Sequence, residues 1–79
     1  MTCQITFLPF NVLDAEREVQ RIIDLLDSYD INYVVHELST TIKGEPDVIF
    51  WLIRDIYEQA AKYVNIFRLH VELLHKKDS

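Results

Sequence analysis

Gly44 is the single glycine of the chain, and the sequence changes character on either side of it. Ser39-Thr40-Thr41-Ile42-Lys43 precedes it, a β-branched run suited to a short strand. Glu45-Pro46-Asp47 follows and opens a helix. Proline is tolerated at the first helical position because the N–H it lacks would have no intrahelical partner there. Asp47 sets a negative charge at the positive end of the helix macrodipole, and Glu45 is the expected N-cap. Strand, glycine hinge and helix start are thus tied to one place, and the other elements arrange themselves around it.

Taken in order, Thr2 to Leu8 alternates, with Cys3, Ile5 and Phe7 on one side and Thr2, Gln4 and Thr6 on the other. Period-two alternation predicts a strand with one buried face, and Pro9 is expected to end it because proline donates nothing to a ladder. Asn11 or Asp14 can cap a first helix whose apolar stripe is Val12, Ala15, Val19, Ile22, Ile23 and Leu26. Ser28-Tyr29-Asp30 breaks it. Ile31 to Leu38 reads as a second strand, Ser39-Thr40 as a tight connection and Thr41-Ile42-Lys43 as a short third strand. No Asn-Gly or Asp-Gly pair marks that hairpin.

The second helix is expected from Pro46 to about Tyr63, with Ile49, Leu52, Ile53, Ile56, Ala60 and Tyr63 on its core stripe and Trp51 outward beside Arg54 and Glu58. Val64 to Leu74 is the last strand: Phe67, Leu69, Val71 and Leu73 face one way, Arg68, His70 and Glu72 the other. Lys76-Lys77-Asp78-Ser79 is a polar tail.

The order strand-helix-strand-strand-helix-strand predicts an α+β fold, the ferredoxin-like βαββαβ sandwich: a four-stranded antiparallel sheet with two helices on one face. The expected core is Ile5, Phe7, Val19, Ile22, Ile23, Leu26, Ile49, Leu52, Ile53, Ile56, Phe67, Leu69 and Val71. The opposite sheet face would carry Gln4, Thr6, Arg68, His70 and Glu72, with Leu8, Ile66 and Leu74 at its ends.

Composition narrows the function classes. A chain of 79 residues is expected to be one domain, residues 1–79. A net charge of −5 argues against nucleic acid, where cationic side chains supply most of the affinity. One cysteine allows neither an internal disulfide nor a cysteine-based zinc site. No apolar run reaches the roughly 20 residues that span a bilayer, and no signal peptide is legible at the start. A cytoplasmic setting without membrane attachment is the expectation.

Function must be argued from sites rather than from the fold. Met1-Thr2-Cys3 resembles the start of a heavy-metal loop, but position 6 is threonine, and a soft metal needs a second thiolate there. An anion cradle after the first strand would need glycines, where Pro9-Phe10-Asn11-Val12 stands. A base-stacking sheet would need aromatic residues where Thr41 and Lys43 stand. His36, His70 and His75 share no ligand spacing, and no nucleophile elbow or phosphate loop is present. The residues point to no metal, no cofactor and no catalytic group, and so to no enzyme.

The succession of elements resembles the small thiamine-binding (YkoF-like) family over nearly the whole chain, roughly residues 3 to 77. The residues that carry the resemblance are the alternating first strand ending in proline, Gln4-Ile5-Thr6-Phe7-Leu8-Pro9; Tyr33 in the second strand; and Ser39-Thr40-Thr41-Ile42-Lys43-Gly44, standing where the family has a Gly-Thr-x-x-Glu-Gly-like turn and strand. Three positions depart from the family pattern. Gln4 replaces an acidic residue, Ser39 a glycine and Lys43 a glutamate. The resemblance implies a non-catalytic binder of thiamine or its hydroxymethylpyrimidine moiety, assembled as a dimer or tetramer through its sheets. Gln4, Thr6, Glu37, Ser39 and Thr40 supply the polar groups for such a ligand near one end of the sheet.

The alternative is an oligomerisation or protein-interaction module without a ligand. The outward Trp51, the three departures and a hydrophobic content of 49% favour it. A chain this short buries only about 60–65% of its unfolded surface, so a homo-oligomer with the open sheet face in an interface is expected on either reading.

Overall fold

The structure is a computed structural model that describes residues 1–77, so Asp78 and Ser79 of the expected polar tail lie outside the described residues. The alternation at the start of the chain produces β1 (Thr2–Phe10), followed by α1 (Ala15–Asp27), β2 (Asn32–Val35), β3 (Thr40–Lys43), α2 (Pro46–Tyr63) and β4 (Ile66–Leu74). The strands form one antiparallel sheet in the order β2-β3-β1-β4. The expected ferredoxin-like order and layering are present.

Local chemistry explains most boundaries. Asp14 caps α1 by accepting a hydrogen bond from the Arg17 N–H at 3.2 Å. Asn11, at φ 55°, turns the chain into the helix through the left-handed region that asparagine tolerates. Glu45 occupies the N-cap of α2 in extended geometry without a side-chain cap bond, and Pro46 and Asp47 follow as the sequence required. Gly44 has no positive φ, and a Cβ there would meet Ile31 and Ile49 at an ordinary 3.6 Å. Neither dihedral nor crowding demands glycine at the hinge. The Gly44 N–H is fixed by the Met1 carbonyl at 3.2 Å.

The core lies between the sheet and both helices. Cys3, Ile5 and Ile42 on the sheet meet Ile22 and Leu26 of α1 and Ile49, Leu52, Ile56 and Ala60 of α2, all buried. Phe7, Ile53, Phe67 and Leu69 pack against them partly buried.

Several expectations are corrected. Pro9 does not end β1. It pairs with Phe67 of β4, and β3 accompanies β1 only as far as Ile5, so no ladder is missing its donor on that side. The second strand is four residues rather than Ile31 to Leu38, because its only partner, β3, is equally short. The connection is His36–Ser39, closed by the His36 N–H on the Ser39 carbonyl at 2.7 Å, and Thr40 belongs to β3. Val64 precedes β4 rather than starting it, and is itself buried.

Val19 and Val71, assigned to the core, are 36% and 38% exposed. Val19 overhangs the part of the sheet that β2 and β3 do not reach, and Val71 stands on an edge strand. Tyr63, assigned to the core stripe of α2, is exposed and lies under the Arg21 guanidinium at 3.9 Å.

Two tyrosines pin the end of α1. Tyr29 donates to the Asp55 carboxylate on α2, and Tyr33 of β2 donates to Asp27. The bond to Asp55 first, then burial and the Asp55 charge, push the Tyr29 phenol from 10 up to about 12. The same causes raise Tyr33, through Asp27. A phenol whose folded value is raised stabilises the fold fully below the unfolded value and loses that contribution as pH climbs through the folded one. Thermal unfolding from pH 9 to 12 is therefore expected to show a midpoint that starts to fall above about pH 10, more steeply than in Tyr29→Phe. Parallel alkaline limbs for the two proteins would show that the Tyr29 bond carries no linkage.

Candidate functional site

A cleft opens where the sheet narrows from four strands to two. Beyond Ile5, β1 continues beside β4 alone, because β3 starts at Thr40 opposite Ile5. The vacancy beside Phe7 is bounded above by the α1 stripe and at its end by the His36–Ser39 turn. Val19, Ile22, Ile23 and Leu26 form the helical wall, Ile5 and Phe7 the floor, and Val35 to Thr40 the rim, around about 120 Å³. The walls are aliphatic and aromatic. The polar groups, His36, Glu37, Ser39 and Thr40, all sit on the turn and the first residue of β3. Neither lysine nor arginine is among the residues that line it. An apolar slot with a few convergent polar groups on one side is the usual form of a small-molecule site.

The five residues expected to touch a ligand divide between the two sides of the sheet. Glu37, Ser39 and Thr40 line the cleft. Gln4 and Thr6 alternate away from Ile5 and so lie on the open face, where with His70, Val71 and Glu72 they border a shallow polar depression. Gln4 is joined to the turn: its Nε2 donates to Ser39 Oγ at 2.8 Å, and Gln4, His36, Glu37, Leu38 and Ser39 surround a shallow groove at the hairpin tip. Thr6 is apart from the turn, opposite His70 of β4. The structure thus brings Gln4, Glu37 and Ser39 together, adds Thr40 from the cleft side and leaves Thr6 with β4.

Sequence reasoning missed the cleft's wall and lip. Phe7 and Val19 were placed in the core, and Leu38 was taken as the end of a strand, whereas it stands 85% exposed on the turn. No signal in the sequence marks them, because Ile31 to Leu38 reads as a strand long enough to lie under the helix and only the four-residue β3 ends the pairing early. Among the described residues, no three His, Cys, Asp or Glu side chains gather closely enough to hold a metal ion. Cys3 is buried, and burial raises its thiol above the ordinary value, which makes it a packing residue rather than a nucleophile. No helix among the described residues is long and apolar enough to cross a membrane.

Trp51, 61% exposed, points outward as its stripe position required, with Arg54 above its ring at 5.8 Å. It lies on α2 and contributes nothing to the cleft.

Solved structures share the arrangement. A protein of Streptococcus pneumoniae superposes with a TM-score of 0.90 at 18% identity, over 96% of this chain and 86% of that one. A hypothetical protein of Methanocaldococcus jannaschii gives 0.88 at 15% identity, over 99% and 81%. A candidate thiamine biosynthesis or salvage protein of Thermotoga maritima gives 0.85 at 23% identity, over 95% and 82%. At these identities the likeness concerns the fold. No curated protein sequence matches the chain. The sequence itself, however, fits the family model described as thiamine-binding protein across residues 3–79, which takes in β1 from Cys3 onward and all the other strands and helices. The chain belongs to the thiamine-binding protein family.

Proposed function

We propose that the protein is a non-catalytic binder of thiamine or its hydroxymethylpyrimidine moiety, working as a homo-oligomer. The observation that carries this reading is the cleft: an apolar slot of about 120 Å³ with its polar groups on one turn. That volume suits one heteroaromatic ring. An aminopyrimidine is flat, buries well between Phe7 and the α1 aliphatics, and presents a donor–acceptor edge. The Glu37 carboxylate can accept from its amino group, and the hydroxyls of Ser39 and Thr40 can serve its ring nitrogens. A thiazolium left at the mouth would be a cation facing an acidic residue on a domain of net charge −5. Family membership supports the ligand class, and the name of the Thermotoga maritima relative agrees with it.

One observation favours the second reading, an interaction module that has lost its ligand. Gln4 and Ser39 satisfy each other at 2.8 Å, and both replace residues of the family pattern. Isothermal titration with thiamine and with hydroxymethylpyrimidine separates the two. Saturable heat, with an upward shift in melting temperature, is the expected result. Absence of both at millimolar ligand would leave the interaction module as the function.

A further inference from the structure

We infer that the cleft selects by charge: it takes its ligand as the free alcohol and excludes the phosphate ester of that alcohol, with Glu37 as the residue that discriminates. This rests on the ligand reading above and adds which members of that ligand class are admitted.

Thiamine and hydroxymethylpyrimidine are both alcohols, and a phosphate ester of either carries about two negative charges near neutral pH. A site for such an ester sets cationic side chains or a helix N-terminus against the phosphate. The chain has eight Lys and Arg residues, and among the described residues none of them lines the cleft. Arg21 is held by Glu18 and lies over the Tyr63 ring, toward α2. Arg54 pairs with Glu58 on the outer side of α2. Arg68 lies over Phe10 on the open face of the sheet. Lys43 is at the far end of β3, opposite Thr2, and Lys76 and Lys77 follow the end of β4 that pairs with Thr2. Lys62 is in the last turn of α2. Arg17, two residues from Val19, projects from the other side of α1.

The helix N-terminus nearest the cleft offers no substitute. Asp14 already accepts from the Arg17 N–H at 3.2 Å, and Glu16 and Glu18 add two negative charges to the first turn of α1. That end of the dipole is taken by the protein's own carboxylates.

What faces the ligand is negative. Glu37 stands on the rim. In hydroxymethylpyrimidine the amino and hydroxymethyl groups occupy adjacent ring carbons. An amino group that donates to Glu37 therefore brings the hydroxyl close to the same carboxylate, to which it can also donate. Esterification removes that donor and puts a dianion in its place, beside a carboxylate on a domain of net charge −5. In thiamine the hydroxyl is on the far side of the thiazolium, outside the mouth. Its ester is repelled more weakly, and salt screens much of the rest.

The test is calorimetry on the intact chain with four probes: hydroxymethylpyrimidine, its phosphate, thiamine and thiamine monophosphate. His36 also lines the cleft, so the titrations are run at pH 8, above the ordinary range for an imidazole. The pyrimidine phosphate is expected to bind roughly tenfold or more weaker than the free alcohol, and thiamine monophosphate about threefold weaker than thiamine. Glu37→Gln keeps the shape and an acceptor but removes the charge, and is expected to cut the tenfold preference to about threefold or less. Glu37→Lys is expected to reverse its sign. Equal affinities for alcohol and ester in the unaltered protein would overturn charge selection and leave the ligand reading standing. So would a preference that Glu37→Gln leaves unchanged, since size would then exclude the ester. If none of the four probes binds, the ligand reading falls and this inference falls with it.

Discussion

Replacing Leu52 by alanine is expected to destabilise the protein by about 2–5 kcal/mol, the range for a fully buried leucine whose neighbours only partly collapse into the space left. Leu52 is 0% exposed and stands between Ile49 and Ile56 on the face of α2 that meets the sheet. Its loss opens the middle of a core whose fully buried residues of any size are few: Leu26, Ile42, Ile49, Leu52, Ile56 and Cys3. A domain of 79 residues has a net stability of about 4–12 kcal/mol at the usual per-residue value, so the substitution removes a large share of it. Urea denaturation measures the loss as a lower midpoint at unchanged slope. The comparison is Val19→Ala, at a side chain 36% exposed over the cleft, where the loss should stay below about 1 kcal/mol. Equal losses at the two positions would mean that the core is not centred under α2.

That contrast also marks what the sequence could reveal. The start of α2 was legible to the residue and its end near Tyr63 closely, because Pro46 and Asp47 fix the start by local chemistry and the Ile49, Leu52, Ile56 and Ala60 period runs without interruption. The two faces of β1 followed from alternation, and the ferredoxin-like layering from the succession of strands and helices with right-handed crossovers. What failed was everything that depends on a partner's length. Ile31 to Leu38 looks like a strand of eight residues, but a strand lasts only as long as its neighbour, and β3 offers four. Val19 fits the α1 stripe, yet no strand lies beneath it. Val71 alternates correctly, yet β4 is the edge.

The cleft arises from the same shortfall, as the space left where a hairpin stops early, and a period in the sequence cannot register an absence. The Gln4–Ser39 bond was illegible for a related reason: it spans 35 positions and depends on the β1–β3 register, in which Gln4 lies opposite Thr41.

Glu37→Ala is expected to weaken thiamine or pyrimidine binding by about 1.5–3 kcal/mol, or roughly 10- to 150-fold, the value of a hydrogen bond to a charged group. Among the described residues, Glu37 is the only acidic one lining the cleft. It stands exposed on a turn held by the backbone bond from His36 to Ser39, so the truncation should leave the melting temperature of the unliganded protein nearly unchanged and act on affinity alone. Glu37→Gln keeps an acceptor but removes the charge. It should recover part of the loss for the neutral hydroxymethylpyrimidine and less for the cationic thiamine, where the carboxylate also attracts the thiazolium. Thr6→Val decides which side of the sheet holds the ring. Thr6 lies opposite His70 on the open face, across the sheet from Phe7 and the cleft. A ligand in the cleft makes the Glu37 effect large and the Thr6 effect small. If calorimetry finds the reverse order, the ligand lies on the polar face bordered by Gln4, Thr6 and His70, and the slot under α1 is a packing gap between a long helix and a short hairpin.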